Sequence, residues 1–192
     1  MAALALVSSK RLGLLAASVL LLSAARSSAE EEMPRFTGNG SVTQAINGDV
    51  GAVLDIGSGL TMTFPKGIPV GRSRLVTFKK AAKKPSGAQV QKGFTPVGTA
   101  LEFNMPVSAG SSPILLSMAT KTDPRKKGDR LVLAMEVGTL CNDDNKATKG
   151  KNGLCSGWEI VDAEFDGGAG AVTAKLQSTG GMRMVFGLLT DK

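Results

Sequence analysis

The 192-residue sequence predicts an all-β protein: one antiparallel β-sandwich, or barrel-like, domain behind a cleavable signal peptide. Three observations carry that expectation. Apolar residues recur with period two in short runs, turn residues drawn largely from the 24 glycines and 8 prolines separate the runs, and no stretch after residue 29 combines a helical apolar stripe with caps. A composition of 42% hydrophobic and 20% charged residues suits a single folded domain with its own core.

Residues 1–29 read as the signal peptide. Lys10 and Arg11 precede an apolar run from Leu12 to Leu22, and small residues follow, with Ser27 and Ala29 at cleavage spacing. Eleven residues are about half of the ~20 that span a bilayer, and no later run is longer, so no transmembrane segment is expected after cleavage. Residues 30–40 form a polar leader from Glu30 to Gly40, and the β-domain is expected over 41–192.

Within that domain the alternating sets are Leu60, Met62 and Phe64; Leu101, Phe103 and Met105; Leu131, Leu133, Met135 and Val137; Val172, Ala174 and Leu176; and Met182, Met184, Phe186 and Leu188. With Val50–Ile56, Leu75–Phe78, Ile114–Met118 and Trp158–Phe165 they make about nine strands. Gly167, Gly168 and Gly170 mark a turn, and no helix follows them to form a phosphate cradle.

The chain has no histidine, which excludes Ser-His-Asp and Cys-His relays, His-ligated zinc and an imidazole pH switch within it. No cofactor is expected. Cys141 and Cys155 both fall in the exported part, where an even pair is expected to form a disulfide across the base of a long hairpin loop. Secretion or a periplasmic location is the expected address.

The formal charge of +7 is partly signal peptide: without Lys10, Arg11 and Arg26, 20 of the 23 basic residues face 16 acidic ones. The remaining excess clusters at Lys79, Lys80, Lys83 and Lys84; at Arg125, Lys126, Lys127 and Arg130; and at Lys146, Lys149 and Lys151. These read as solvated loop tips or as contacts for an anionic polymer or membrane headgroups. Nucleic acid is not an expected partner, because the phenylalanines take inward strand positions and there is no tyrosine to stack on bases.

Five features carry a chemical reading. Asp55-Ile56-Gly57-Ser58 echoes the turn of aspartic proteases, but Ile56 stands where a hydroxyl residue belongs and the motif occurs once, so a simple turn is expected. Asn142, Asp143, Asp144 and Asn145 offer oxygen ligands without the glycine and final glutamate of a calcium loop. Asn39-Gly40-Ser41 is a glycosylation sequon. Glu102, Glu136, Asp162 and Glu164 occur singly in strands, with Glu102 and Glu136 at outward positions expected to meet solvent. Trp158 is expected to pack against the disulfide or to serve as a ligand platform.

Residues Gly51–Gly71 run as a strand, a Ser-Gly turn, an alternating strand, and then Pro65, Gly67, Pro69 and Gly71. With Pro96-Val97 and the spacing of Phe103 to Pro106-Val107, the segment 50–118 resembles the ZU-type β-sandwich domain of ankyrins, netrin receptors and tight-junction scaffolds. The resemblance implies a protein-interaction module. The self-cleaving His-Phe-Ser site of some relatives has no counterpart here. The expected function is therefore an exported, non-enzymatic module that binds another macromolecule, an unknown protein or extracellular polymer; the alternative is a carbohydrate or anionic-polymer module. Trp158, Lys79, Lys80, Lys83 and Lys84 are the candidate ligand-facing residues.

Overall fold

Residues 32–69, 74–104, 107–139, 141, 155–179 and 183–190 are described by a computed structural model. The expected signal peptide, the oxygen-rich segment 142–145 and the third lysine cluster lie outside them. The strands are β1 (Arg35–Thr37), β2 (Ser41–Ile46), β3 (Ala52–Asp55), β4 (Leu60–Phe64), β5 (Arg74–Lys80), β6 (Phe94–Pro96), β7 (Leu101–Phe103), β8 (Ile114–Ala119), β9 (Asp129–Thr139), β10 (Cys155–Asp166), β11 (Ala171–Leu176) and β12 (Arg183–Thr190). The one helix among the described residues, α1 (Gly87–Val90), is a single turn.

All nine expected strands form. Three more join them, and each lacks the signal that betrays the others. In β2 the inward period Val42, Gln44, Ile46 is interrupted by a polar residue. Strands β1 and β6 have three residues each, and β1 lies in the polar leader, where it borrows its partner from β3.

The strands form one continuous sheet in the order β1-β3-β4-β8-β11-β10-β9-β12-β7-β5-β2, with β6 also on β12. It bends into two facing halves and nearly closes as a barrel. Two devices make the bends. Strand β10 pairs with β9 over Cys155–Asp162 and then with β11 over Ala163–Asp166, so it belongs to both halves. At the other seam the run 35–46 pairs first with β3 and then with β5. Backbone bonds pin its middle: Gly38 N–H donates to the Asp55 carbonyl, Gly40 N–H to that of Ile56, and Lys80 N–H to that of Gly40. Strands that switch sheets in this way form the corners of sandwiches that approach barrels.

The core lies between the halves. Leu54, Met62, Phe64, Ile114, Leu116 and Leu176 from one half meet Ile46, Phe78, Leu101, Leu133, Met184 and Phe186 from the other. The Phe64 and Phe103 rings touch across the middle, with centroids 5.7 Å apart. Each such side chain contributes roughly 1.5–3 kcal/mol on burial.

A second apolar cluster sits outside the half built from β9 and β12. Phe94, Ala100, Val132, Ala134, Val185 and Leu189 form it, with Val90, Trp158 and Ile160 packed at its border. Strand β6 pairs beside β12, and from the connection that carries it the side chains of Ala81, Val90, Phe94 and Ala100 pack on this outer face, so Val132 and Ala134 of β9 are buried there as its inward residues are in the core. Phe94 is therefore not an inward strand residue, as the pattern suggests, but a lid on the outer surface. Its ring lies directly on Gly187, where an added Cβ would collide with the ring carbons.

Candidate functional site

The outer face of this second half divides in two. Below, it is covered by the 81–100 segment. Above, a row of side chains crosses five adjacent strands at matching register: Lys79 on β5 opposite Glu102 on β7, Glu102 opposite Arg183 on β12, Arg183 level with Glu136 on β9, and Glu136 opposite Trp158 on β10. The pleat puts all five on one face, and strand pairing brings residues up to 104 positions apart in sequence to a spacing of about 4.8 Å per strand.

The contacts follow the alternation of charge. Lys79 Nζ lies 3.0 Å from a Glu102 oxygen. Arg183 donates Nε to Glu136 Oε2 at 2.5 Å and Nη2 to Oε1 at 2.9 Å, a bidentate pair. The guanidinium also lies over the Trp158 ring, 5.8 Å from its centroid, a cation–π contact. Hydrogen bonding from Arg183 and from the Ser156 hydroxyl holds the Glu136 carboxyl below the usual range despite its burial, and Glu136 in turn raises the Arg183 pKa.

Glu136 corrects the sequence expectation. It does lie on the outward face, but Arg183 lies against it there, and the residue is only 4% exposed. Its charge is tolerated because Arg183 was brought to it by β12, a partner no local pattern announces. Glu102 remains partly open, with 29% of its side chain exposed beside a half-exposed Lys79. Above the row is an open groove of about 490 Å³ lined by Lys79, Glu102, Phe103, Asn104, Glu136 and Arg183. Asn104 Oδ1 accepts the Thr77 backbone N–H at 2.7 Å.

Of the other expected residues, Trp158 borders the outer apolar cluster beneath Arg183. Lys80 donates to Ser58 Oγ at 3.0 Å, and Lys83 and Lys84 are exposed on the connection after β5. The lysine group is thus split: Lys79 alone enters the groove. Asp162 pairs with Arg130 and Glu164 lies near Lys175, both at the surface and apart from the row. Asn39 is exposed in the bend between β1 and β2.

Asp55 stands in a turn, as expected. Its Oδ1 accepts Gly57 N–H, and Arg35 bonds to it at 2.6 Å, which with the turn bond holds the carboxyl below its ordinary value. Gly57, Ser58 and Gly59 all have positive φ, which explains two glycines around one strained serine.

Cys141 and Cys155 are joined, with Cα atoms 5.0 Å apart. The bridge ties the β9–β10 hairpin at the end where Ser156 opposes Gly138. Among the described residues no group of three or more His, Cys, Asp or Glu side chains is placed to hold a metal ion, and no helix is long and apolar enough to cross a membrane. No protein-family model matches the chain, and no curated protein matches it.

Proposed function

We propose that the protein is an exported, non-enzymatic binding module that recognises another macromolecule at the open groove on the outer face of β5, β7, β12 and β9. The observation that carries this reading is the row Lys79, Glu102, Arg183 and Glu136: a rigid, partly open polar surface on strands, with its side chains held by each other. Sites built on strands are positioned more accurately than sites on loops.

The same contacts disfavour a general-acid role for the buried and turn carboxylates. A general acid must keep its proton at working pH, whereas Glu136 is held ionised by Arg183 and Asp55 by Arg35. Glu102 is ion-paired to Lys79. The joined cysteines favour an oxidising compartment, which agrees with the secretory reading of residues 1–29. The likeness of residues 50–118 to the ZU-type domain supports an interaction role as well.

The test is affinity capture from the native extracellular fraction with the exported protein as bait, run beside the double variant Lys79→Ala/Glu102→Ala. A partner retained by the first and lost by the second is the expected result. Hydrolysis of peptides or glycans by purified protein, abolished by Asp55→Asn or Glu102→Gln with the thermal midpoint unchanged, would falsify the binding reading.

A further inference from the structure

The ligand class follows from the charge balance of the groove, on the premise that the groove is a binding site. Two cations and two carboxylates alternate over four adjacent strands and sum to zero. Each already has its counter-ion, Lys79 with Glu102 and Arg183 with Glu136. A ligand of either net sign meets as many like charges as opposite ones, and it must displace a partner already in place to form a pair of its own.

Hydroxyl groups face no such conflict. Each donates and accepts, so one hydroxyl can bridge a carboxylate oxygen on one strand and a cationic N–H on the next without breaking the existing pair. Capacity for this remains. Arg183 uses two of its N–H groups on Glu136, the Lys79 ammonium has three donors, and the Glu102 carboxylate has room for further hydrogen bonds. Asn104 spends its oxygen on Thr77 and keeps its amide NH₂ as another donor. The strand step of about 4.8 Å repeats this donor and acceptor pattern at a spacing close to one sugar ring. The groove volume of about 490 Å³ lies within the range of pockets that hold compact organic ligands.

We infer that the groove is a subsite for a neutral glycan, with one or two sugar rings seated across β5, β7 and β12, their hydroxyls shared among Lys79, Glu102, Asn104 and Arg183. Glu136 and Trp158 act as positioning residues that hold the Arg183 guanidinium in place.

The experiment presents the exported, disulfide-bonded protein to an array of neutral, sulfated and uronate-containing oligosaccharides, then measures the best ligand by calorimetry. Neutral glycans should bind with little dependence on added salt. Glu102→Gln should weaken that binding about ten-fold at an unchanged thermal midpoint. Lys83→Ala/Lys84→Ala should leave it as it was. Binding confined to sulfated or uronate glycans, with strong salt dependence and loss in the Lys83/Lys84 variant, overturns the inference. If no glycan is retained while the capture experiment still yields a partner sensitive to Lys79 and Glu102, the glycan assignment fails and the binding module stands. If neither is found, both fail.

Discussion

The outer faces of the two sheet halves obey the same alternation and end in different environments. On the half formed by β4, β8 and β11, Thr61, Ser117 and Thr173 stand in register as small polar residues, with Ser117 and Thr173 bonded through their hydroxyls at 2.9 Å. Alternation there means core inside and water outside. On the other half, the outward positions of β9 are Val132, Ala134 and Glu136, all buried. Period two reports which residues share a face; whether that face meets water depends on what lies over it.

The sharpest way to break the comparison is to place a charge at matched outward positions. Val185→Asp sets a carboxylate beneath the cover of Phe94 and Ala100 and should cost roughly 4 kcal/mol or more. Thr173→Lys, on the polar face opposite Glu164, should stay within about 1 kcal/mol. Denaturant midpoints of the two variants read the contrast directly, and equal losses would mean that the outer cluster is not packed.

Removal of the disulfide comes next. Cys141→Ser/Cys155→Ser frees a loop of 14-residue separation and should cost about 3 kcal/mol on the chain-entropy account. A variant that keeps the native midpoint would show that the β9–β10 ladder needs no staple.

Loss of Arg183 tests the transition between the covered and open zones. Arg183→Ala leaves Glu136 buried without its main partner and should cost about 2–3 kcal/mol, less than for a fully buried pair because the Arg183 side chain is 32% exposed. Replacing both, as Arg183→Met/Glu136→Leu, should recover most of that stability while removing the fixed cation from the groove. A double variant as unstable as the single one would argue against a cost that arises from an uncompensated charge.

The smallest expected effect is a pH dependence. Glu136 has a folded-state pKa below its unfolded value of ~4.3, so its ion pair contributes fully above that value. The contribution is lost as pH falls through the lower, folded pKa. Asp55 with Arg35 has the same sign at a more exposed site. Unfolding free energy should therefore stay level from neutrality into the ordinary carboxylate range and decline below it, with a shallower decline in Glu136→Gln. Acid titration followed by circular dichroism would show this, and identical slopes would remove Glu136 from the balance.

Much of the fold was legible because it is local. Leu60, Met62 and Phe64, or Leu131, Leu133 and Met135, alternate for the same reason that they face the core, and the glycines and prolines between the runs mark where the chain must reverse. The disulfide was legible from two cysteines flanking a hairpin loop. Less was legible at the site. Glu102 and Glu136 were visible as outward carboxylates, and Lys79 as one lysine of four, but nothing near them in sequence points to Arg183.

By itself the sequence determined the strand periods, the turns, the cysteine pair and the absence of imidazole chemistry, since each depends on neighbouring residues or on composition. Only the tertiary structure decided that β10 and the run 35–46 serve both halves, that Phe94 caps an outer face, and that five strands align cation, carboxylate and tryptophan in one row. Those outcomes depend on pairing between distant segments, where the register of a strand is set by the whole core it must fill and not by its own few residues.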